Sequence, residues 1–116
     1  MPRLMSVALT EPQVLERTKS VTRRMGWKFL TPGTRLTLCR KVRGRKHGEP
    51  LVRLCEVEVV SVRRERLDAI TGPDCALEGF PEMSPDEFVA FFCATHRGCQ
   101  PSTLVTRICW RYLSVP

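Results

Sequence analysis

Apolar and polar residues alternate along three stretches of the chain, and each alternation predicts a β-strand. The first is Arg35-Leu36-Thr37-Leu38-Cys39-Arg40. The second runs from Leu51 to Arg64, where Val57 and Val59 face one way and Glu56 and Glu58 the other, while Val60 and Val62 fall out of phase with them. A strand that changes parity in mid-run predicts a bulge or a strong bend, the feature that curls a small sheet towards a barrel. The third is Leu104 to Leu113, with Leu104, Thr106, Ile108, Trp110 and Tyr112 on one side and Val105, Arg107 and Arg111 on the other.

Helical spacing is clearest at Phe88, Phe91 and Phe92, which make one apolar face and read as core rather than as a platform for stacking a base. Ser84-Pro85-Asp86-Glu87 is a capping box with proline at the first helical position, so this helix has a sharp start; Gly98 is its expected end. Thr10-Glu11-Pro12-Gln13 has the form of a second capping box and predicts a short helix over residues 11–17. Leu67 to Ile70 and Pro73 to Glu78 read as short helical turns, with Gly79 ending the latter in a left-handed conformation, so that Glu78 lies at a helix C-terminus. A carboxylate at that end opposes the helix dipole and calls for a facing cation such as Lys19. Pro32-Gly33 occupies the centre of a type II turn ahead of the first alternating strand.

Between the first helix and that turn lies Lys19-Ser20-Val21-Thr22-Arg23-Arg24, an extended or turn segment at the domain surface carrying an amine, two hydroxyls and two guanidinium groups. It combines an anion-binding surface with a candidate nucleophile. Desolvated, Lys19 can lose its proton near neutral pH and act as a base, and the Thr22 hydroxyl becomes a nucleophile only when a base takes its proton.

Charge strengthens this reading. The chain of 116 residues has 19 Lys+Arg against 12 Asp+Glu, a net charge of +7 carried mostly by arginine, whose planar fork suits phosphates and nucleobases. Lys41 to Pro50 forms a basic hairpin loop in which Arg43, Arg45 and Lys46 can follow a phosphate backbone, and Trp27 offers an aromatic face to a base. No apolar run reaches the roughly 20 residues of a membrane span and the N-terminus has no long apolar stretch, so a single cytoplasmic domain without a membrane is expected. Of six cysteines, Cys39, Cys55, Cys93 and Cys109 sit in apolar runs as small core residues. Cys93, His96 and Cys99 are a weak metal motif without a second knuckle, and we read no metal and no cofactor.

Lys19-x-x-Thr22-x-Arg24, followed by Leu30-Thr31-Pro32-Gly33 and then by Glu78-Gly79-Phe80 ahead of a helix with Glu87-Phe88 and Phe91-Phe92, resembles the ASCH domain, in the wording of its small phage-encoded and bacterial members. The resemblance runs from about Thr10 to Tyr112. It implies an α+β fold, a mostly antiparallel PUA-like β-barrel of about five or six strands with two or three short helices. It also implies recognition of RNA or a modified nucleotide in a cationic cleft between the Lys19–Arg24 segment and Glu78.

Some ASCH members are amidohydrolases that remove an acyl group from N4 of cytidine. The resemblance would then make Lys19 the base, Thr22 the nucleophile and Glu78 the proton shuttle, with Arg24 orienting them. Other members are nucleases, and a phage accessory protein that binds a host protein is a third alternative. Three departures from the amidohydrolases stand out: Ser20 in place of threonine, Arg23 in place of an apolar residue, and Trp27 with the basic loop beside the site. Arg23 is expected to make the cleft more cationic and, with Arg24, Trp27, Arg43, Arg45 and Lys46, to contact the ligand.

Overall fold

The three alternating stretches lie side by side at the centre of one curled sheet. The structure is a computed structural model and describes residues 2–113. Five strands, β1 (Arg3–Ser6), β2 (Val21–Arg24), β3 (Arg35–Cys39), β4 (Arg53–Arg66) and β5 (Leu104–Tyr112), are ordered β1-β3-β4-β5-β2 in a half-barrel. All neighbours are antiparallel except β1 and β3. Three short helices, α1 (Glu11–Leu15), α2 (Gly72–Leu77) and α3 (Pro85–Thr95), complete an α+β fold, with 3-10 turns at Ala8–Thr10 and Leu67–Ala69. No described helix is long and apolar enough to cross a membrane.

The parity change in β4 is a bulge. Val59 pairs with Trp110 and Ser61 with Cys109, which leaves Val60 as the extra residue. Val57 and Val59 are buried, whereas Val60 is 49% exposed. A second register shift, between Leu38 and Cys39 of β3, was not foreseen. The expected type II turn forms at Pro32-Gly33: Thr34 N–H donates to Thr31 O at 3.1 Å, and Gly33 supplies the required positive φ of 91°. Gly33 N–H also donates to Val59 O at 2.8 Å, so the turn is tied to β4 just ahead of the bulge.

Two clusters of side chains make the core. Met5, Val14, Leu36, Leu38, Val57 and Trp110 pack on the sheet, while Leu67, Ile70, Phe88, Phe92 and Val105 sit between the sheet's far end and α2 and α3. The capping box at Ser84 forms in full, with Ser84 Oγ accepting from Glu87 N–H and Glu87 Oε1 accepting from Ser84 N–H. The helix ends at Thr95, ahead of the Gly98 stop, because His96 turns to an extended conformation.

At Thr10 the outcome differs. Its hydroxyl makes no capping bond, α1 stops at Leu15, and Gln13 uses its side-chain N–H to reach Gly79 O at 3.1 Å. The backbone carbonyl of Gln13 accepts from Thr18 and Lys19 N–H at 2.9 and 3.3 Å. Gln13 therefore joins α1, the Lys19 corner and the end of α2. Gly79 fits this junction because its φ is 103° and a Cβ there would sit 3.1 Å from the Gln13 side chain.

Candidate functional site

Each group of the Lys19 corner is held by a different part of the chain. Lys19 leaves α1 just before β2, and its backbone is fixed on both sides: Gln13 O accepts its N–H, and its own carbonyl accepts from Trp110 Nε1 at 3.2 Å and from the Tyr112 hydroxyl. Thr22 lies in β2, opposite Ile108 of β5. Glu78 caps the C-terminus of α2, as its position after Leu77 predicts. All three are at most 3% exposed.

The Lys19 amine donates to Glu78 O at 2.7 Å and to Glu78 Oε1 at 3.1 Å. The amine thus offsets both the carboxylate and the negative end of the α2 dipole. Burial pushes the Lys19 pKa below its ordinary value, with Glu78 partly restoring it and the positive charges of Arg24 and Arg23 lowering it further. Thr22 Oγ1 accepts from Arg24 Nε at 3.1 Å, which leaves the hydroxyl proton free to be donated. Arg24 Nη2 also donates to Ser6 O at 2.7 Å. Ser6 ends β1 and Arg24 ends β2, so this guanidinium bridges the two edges of the half-barrel.

Arg23 departs from the expectation. Its guanidinium is fully buried and binds Glu78 Oε2 at 3.2 Å, Asp74 Oδ2 at 2.6 Å and Glu65 Oε2 at 3.4 Å. A cation without water needs carboxylate partners, and these take up the charge that was expected to enrich the cleft. Arg107 completes the network through Asp74 at 2.7 Å. Beside these arginines Asp74 has its pKa lowered to about 2, chiefly by the Arg107 hydrogen bond. The sequence pattern gave no sign of Asp74 or Arg107, since their partners lie on distant elements.

Lys19, Thr22, Arg24 and Glu78, together with the ion-paired Arg23, line one cavity of about 220 Å³. Its opposite wall is aromatic: Phe80, Phe91 and Phe92, with the His96 ring stacked on Phe92 at 3.9 Å between centroids and 8° between planes. The reading of the α3 phenylalanines as core holds for Phe88 and Phe92, which are buried, but Phe91 is half-buried and faces the cavity. Trp27 and Arg43 line a separate, adjoining hollow. Arg45 and Lys46 are exposed and line neither: Arg45 Nε donates to Val42 O and Lys46 N–H to Glu49 Oε1, so the basic loop folds around its own acid. Among the described residues no group of three His, Cys, Asp or Glu side chains can hold a metal ion.

The architecture matches solved structures. Protein EF3133 of Enterococcus faecalis, of the family model DUF984, superposes with a TM-score of 0.67 and 10% identity over 97% of this chain and 77% of that one. An ASCH domain from Lactobacillus crispatus gives 0.61 and 13% over 95% and 79%. The fold is that of an ASCH domain. A mutant of the Zymomonas mobilis ASCH protein follows at 0.58 and 10%, over 93% and 67% of the two chains. No protein-family model and no curated protein matches the sequence. Within the ASCH fold the cavity lies where the ends of β1 and β2 meet the C-terminus of α2 and one face of α3.

Proposed function

We propose that the cavity binds a modified nucleobase and hydrolyses an amide on its exocyclic nitrogen, so that the protein is an amidohydrolase of the N4-acylcytidine type. The observation that carries this reading is the pairing of Lys19 with Glu78. A neutral amine has two N–H donors and one lone pair. In that form both donors are taken by Glu78, at 2.7 and 3.1 Å, which would leave the lone pair for the cavity; burial shifts the amine towards the neutral form, while Glu78 opposes the shift.

In this reading Lys19, which faces the same cavity as Thr22 without a direct hydrogen bond to it, takes the Thr22 hydroxyl proton once substrate is bound, as Thr22 Oγ1 attacks the acyl carbon. Glu78 passes that proton from Lys19 to the exocyclic nitrogen as the carbon–nitrogen bond breaks, which releases the free base amine and leaves an ester on Thr22. Water, deprotonated by the same pair, cleaves the ester to a carboxylic acid and restores the hydroxyl. Arg24 Nε holds Thr22 Oγ1 in position. The volume agrees with this substrate: about 220 Å³ lies below the roughly 300–1,000 Å³ of drug-sized pockets and suits one base-sized group, with an aromatic wall for its face.

Incubation with N4-acetylcytidine tests the proposal. Release of cytidine and acetate by the wild type, abolished in Thr22→Ala and in Lys19→Ala, is the expected result. No release by the wild type, or full turnover by Thr22→Ala, overturns it.

A further inference from the structure

Next to the cavity lies a wider hollow of about 620 Å³, and Ser6 lines both. Its floor is aromatic, with Trp27 and Phe29 rings 5.5 Å apart and inclined at 31°, and Phe29 is 56% exposed. The Arg3 guanidinium lies 4.4 Å from the centre of the Phe29 ring, and Arg43 reaches the hollow from the basic loop. Elsewhere on the surface some bases are matched to an acid, Arg40 to Glu11, Lys41 to Glu49, Arg63 to Glu65, Arg66 to Asp68 and Arg111 to Glu58, whereas among the described residues the two bases that line the hollow, Arg3 and Arg43, are not.

Trp27 is held in place at a conformational cost. Its φ of 51° follows the 79° of Gly26, a left-handed pair unusual for so bulky a residue. The turn is anchored because Gly26 O accepts from the Thr106 hydroxyl of β5. An aromatic pair held in this way, 56% exposed at Phe29 and bordered by two unpaired guanidinium groups, is a surface for a planar ring followed by a phosphate.

We propose that this hollow is a second subsite, in which Trp27 and Phe29 stack the neighbouring base of a single strand while Arg3 and Arg43 hold its phosphate. It rests on reading the cavity as a base-binding site, and it makes the substrate class an acylated base within an oligonucleotide rather than a free nucleoside. Ser6 and Arg24 form the boundary where the strand passes from one subsite to the other.

The test compares hydrolysis of N4-acetylcytidine with that of a single-stranded trinucleotide carrying the same base, in ribose and deoxyribose versions. The wild type is expected to have the higher kcat/KM on the trinucleotide, and Arg43→Ala and Trp27→Gly to reduce the trinucleotide-to-nucleoside ratio of kcat/KM about 10-fold. Arg43 is on an exposed loop, so this variant is informative even where Trp27→Gly folds poorly. A ratio that neither variant changes overturns the subsite.

If neither substrate is cleaved, the proposed hydrolysis fails, and titration with an unmodified trinucleotide decides the subsite independently. Salt-sensitive quenching of tryptophan fluorescence that weakens at least fivefold in Arg43→Ala supports it, and absence of quenching overturns it.

Discussion

Lys19 meets Glu78 twice, at the backbone carbonyl that ends α2 and at the side-chain carboxylate, with both distances between 2.7 and 3.1 Å. One contact depends on where the helix stops and the other on which residue stands there. The amine is thereby oriented by a feature that a substitution at Glu78 removes only in part.

Titration of Lys19 is the first consequence. Desolvation lowers its pKa, the negative charge of Glu78 raises it, and the positive charges of Arg24 and Arg23 lower it. Glu78→Gln removes the raising influence and keeps the carbonyl contact, so the lysine should titrate at still lower pH. Carbon-13 NMR of the lysine ε-carbon in wild type and variant checks this without reference to activity. An unchanged or higher midpoint would show that Glu78 does not control the amine.

Arg24 bridges the open edges of the sheet, with Nε on Thr22 Oγ1 and Nη2 on Ser6 O. Lysine has one donor group and cannot span both. Arg24→Lys is expected to destabilise the fold by about 1–2 kcal/mol in urea unfolding, as hydrogen bonds from a charged donor are lost. With Thr22 free to rotate, turnover should fall roughly 100-fold, mostly in kcat. A variant with full kcat would remove Arg24 from the positioning role.

The elements legible in the sequence are those whose signals are local. The Pro32-Gly33 turn, the Ser84 capping box and the β4 bulge each follow from residues within a few positions of one another. Strand β1 left no such trace, because Arg3–Ser6 has no alternation of its own and is stabilised by parallel pairing to β3, with Arg3 opposite Leu36. Likewise, the placement of Lys19 opposite Glu78 could be anticipated from an acid at a helix end that needed a cation. The partners of Arg23 could not, since burial of a guanidinium depends on carboxylates such as Asp74, 51 positions away. Gln13 was read as a cap, and only the packed structure brings it to Gly79.

The bulge separates two neighbouring valines by environment, Val59 at 1% exposure and Val60 at 49%. Val59→Ala is expected to cost about 2 kcal/mol, from lost apolar burial and the void left behind. Val60→Thr should stay within about 0.5 kcal/mol of wild type. Denaturant unfolding of the two variants measures the difference. Equal losses would mean that the strand can shift its register and bury Val60.

Asp74 gives the fold its acid limit. Its carboxylate binds Arg23 at 2.6 Å and Arg107 at 2.7 Å, and its pKa falls from 3.8 to about 2. A depressed carboxylate pKa means that the unfolded chain takes up the proton first. The stabilisation is therefore complete above pH 3.8 and is lost as pH falls through about 2. Asp74→Asn removes the charge and leaves Arg23 buried with fewer partners, a loss of about 3 kcal/mol at neutral pH. The same substitution should flatten the stability profile between pH 3.8 and 2, because the group that titrates there is gone. Thermal unfolding of both proteins across that interval checks the two effects together. A variant that is destabilised at neutral pH but keeps the wild-type slope in acid would show that Asp74 is not the acid-sensitive group.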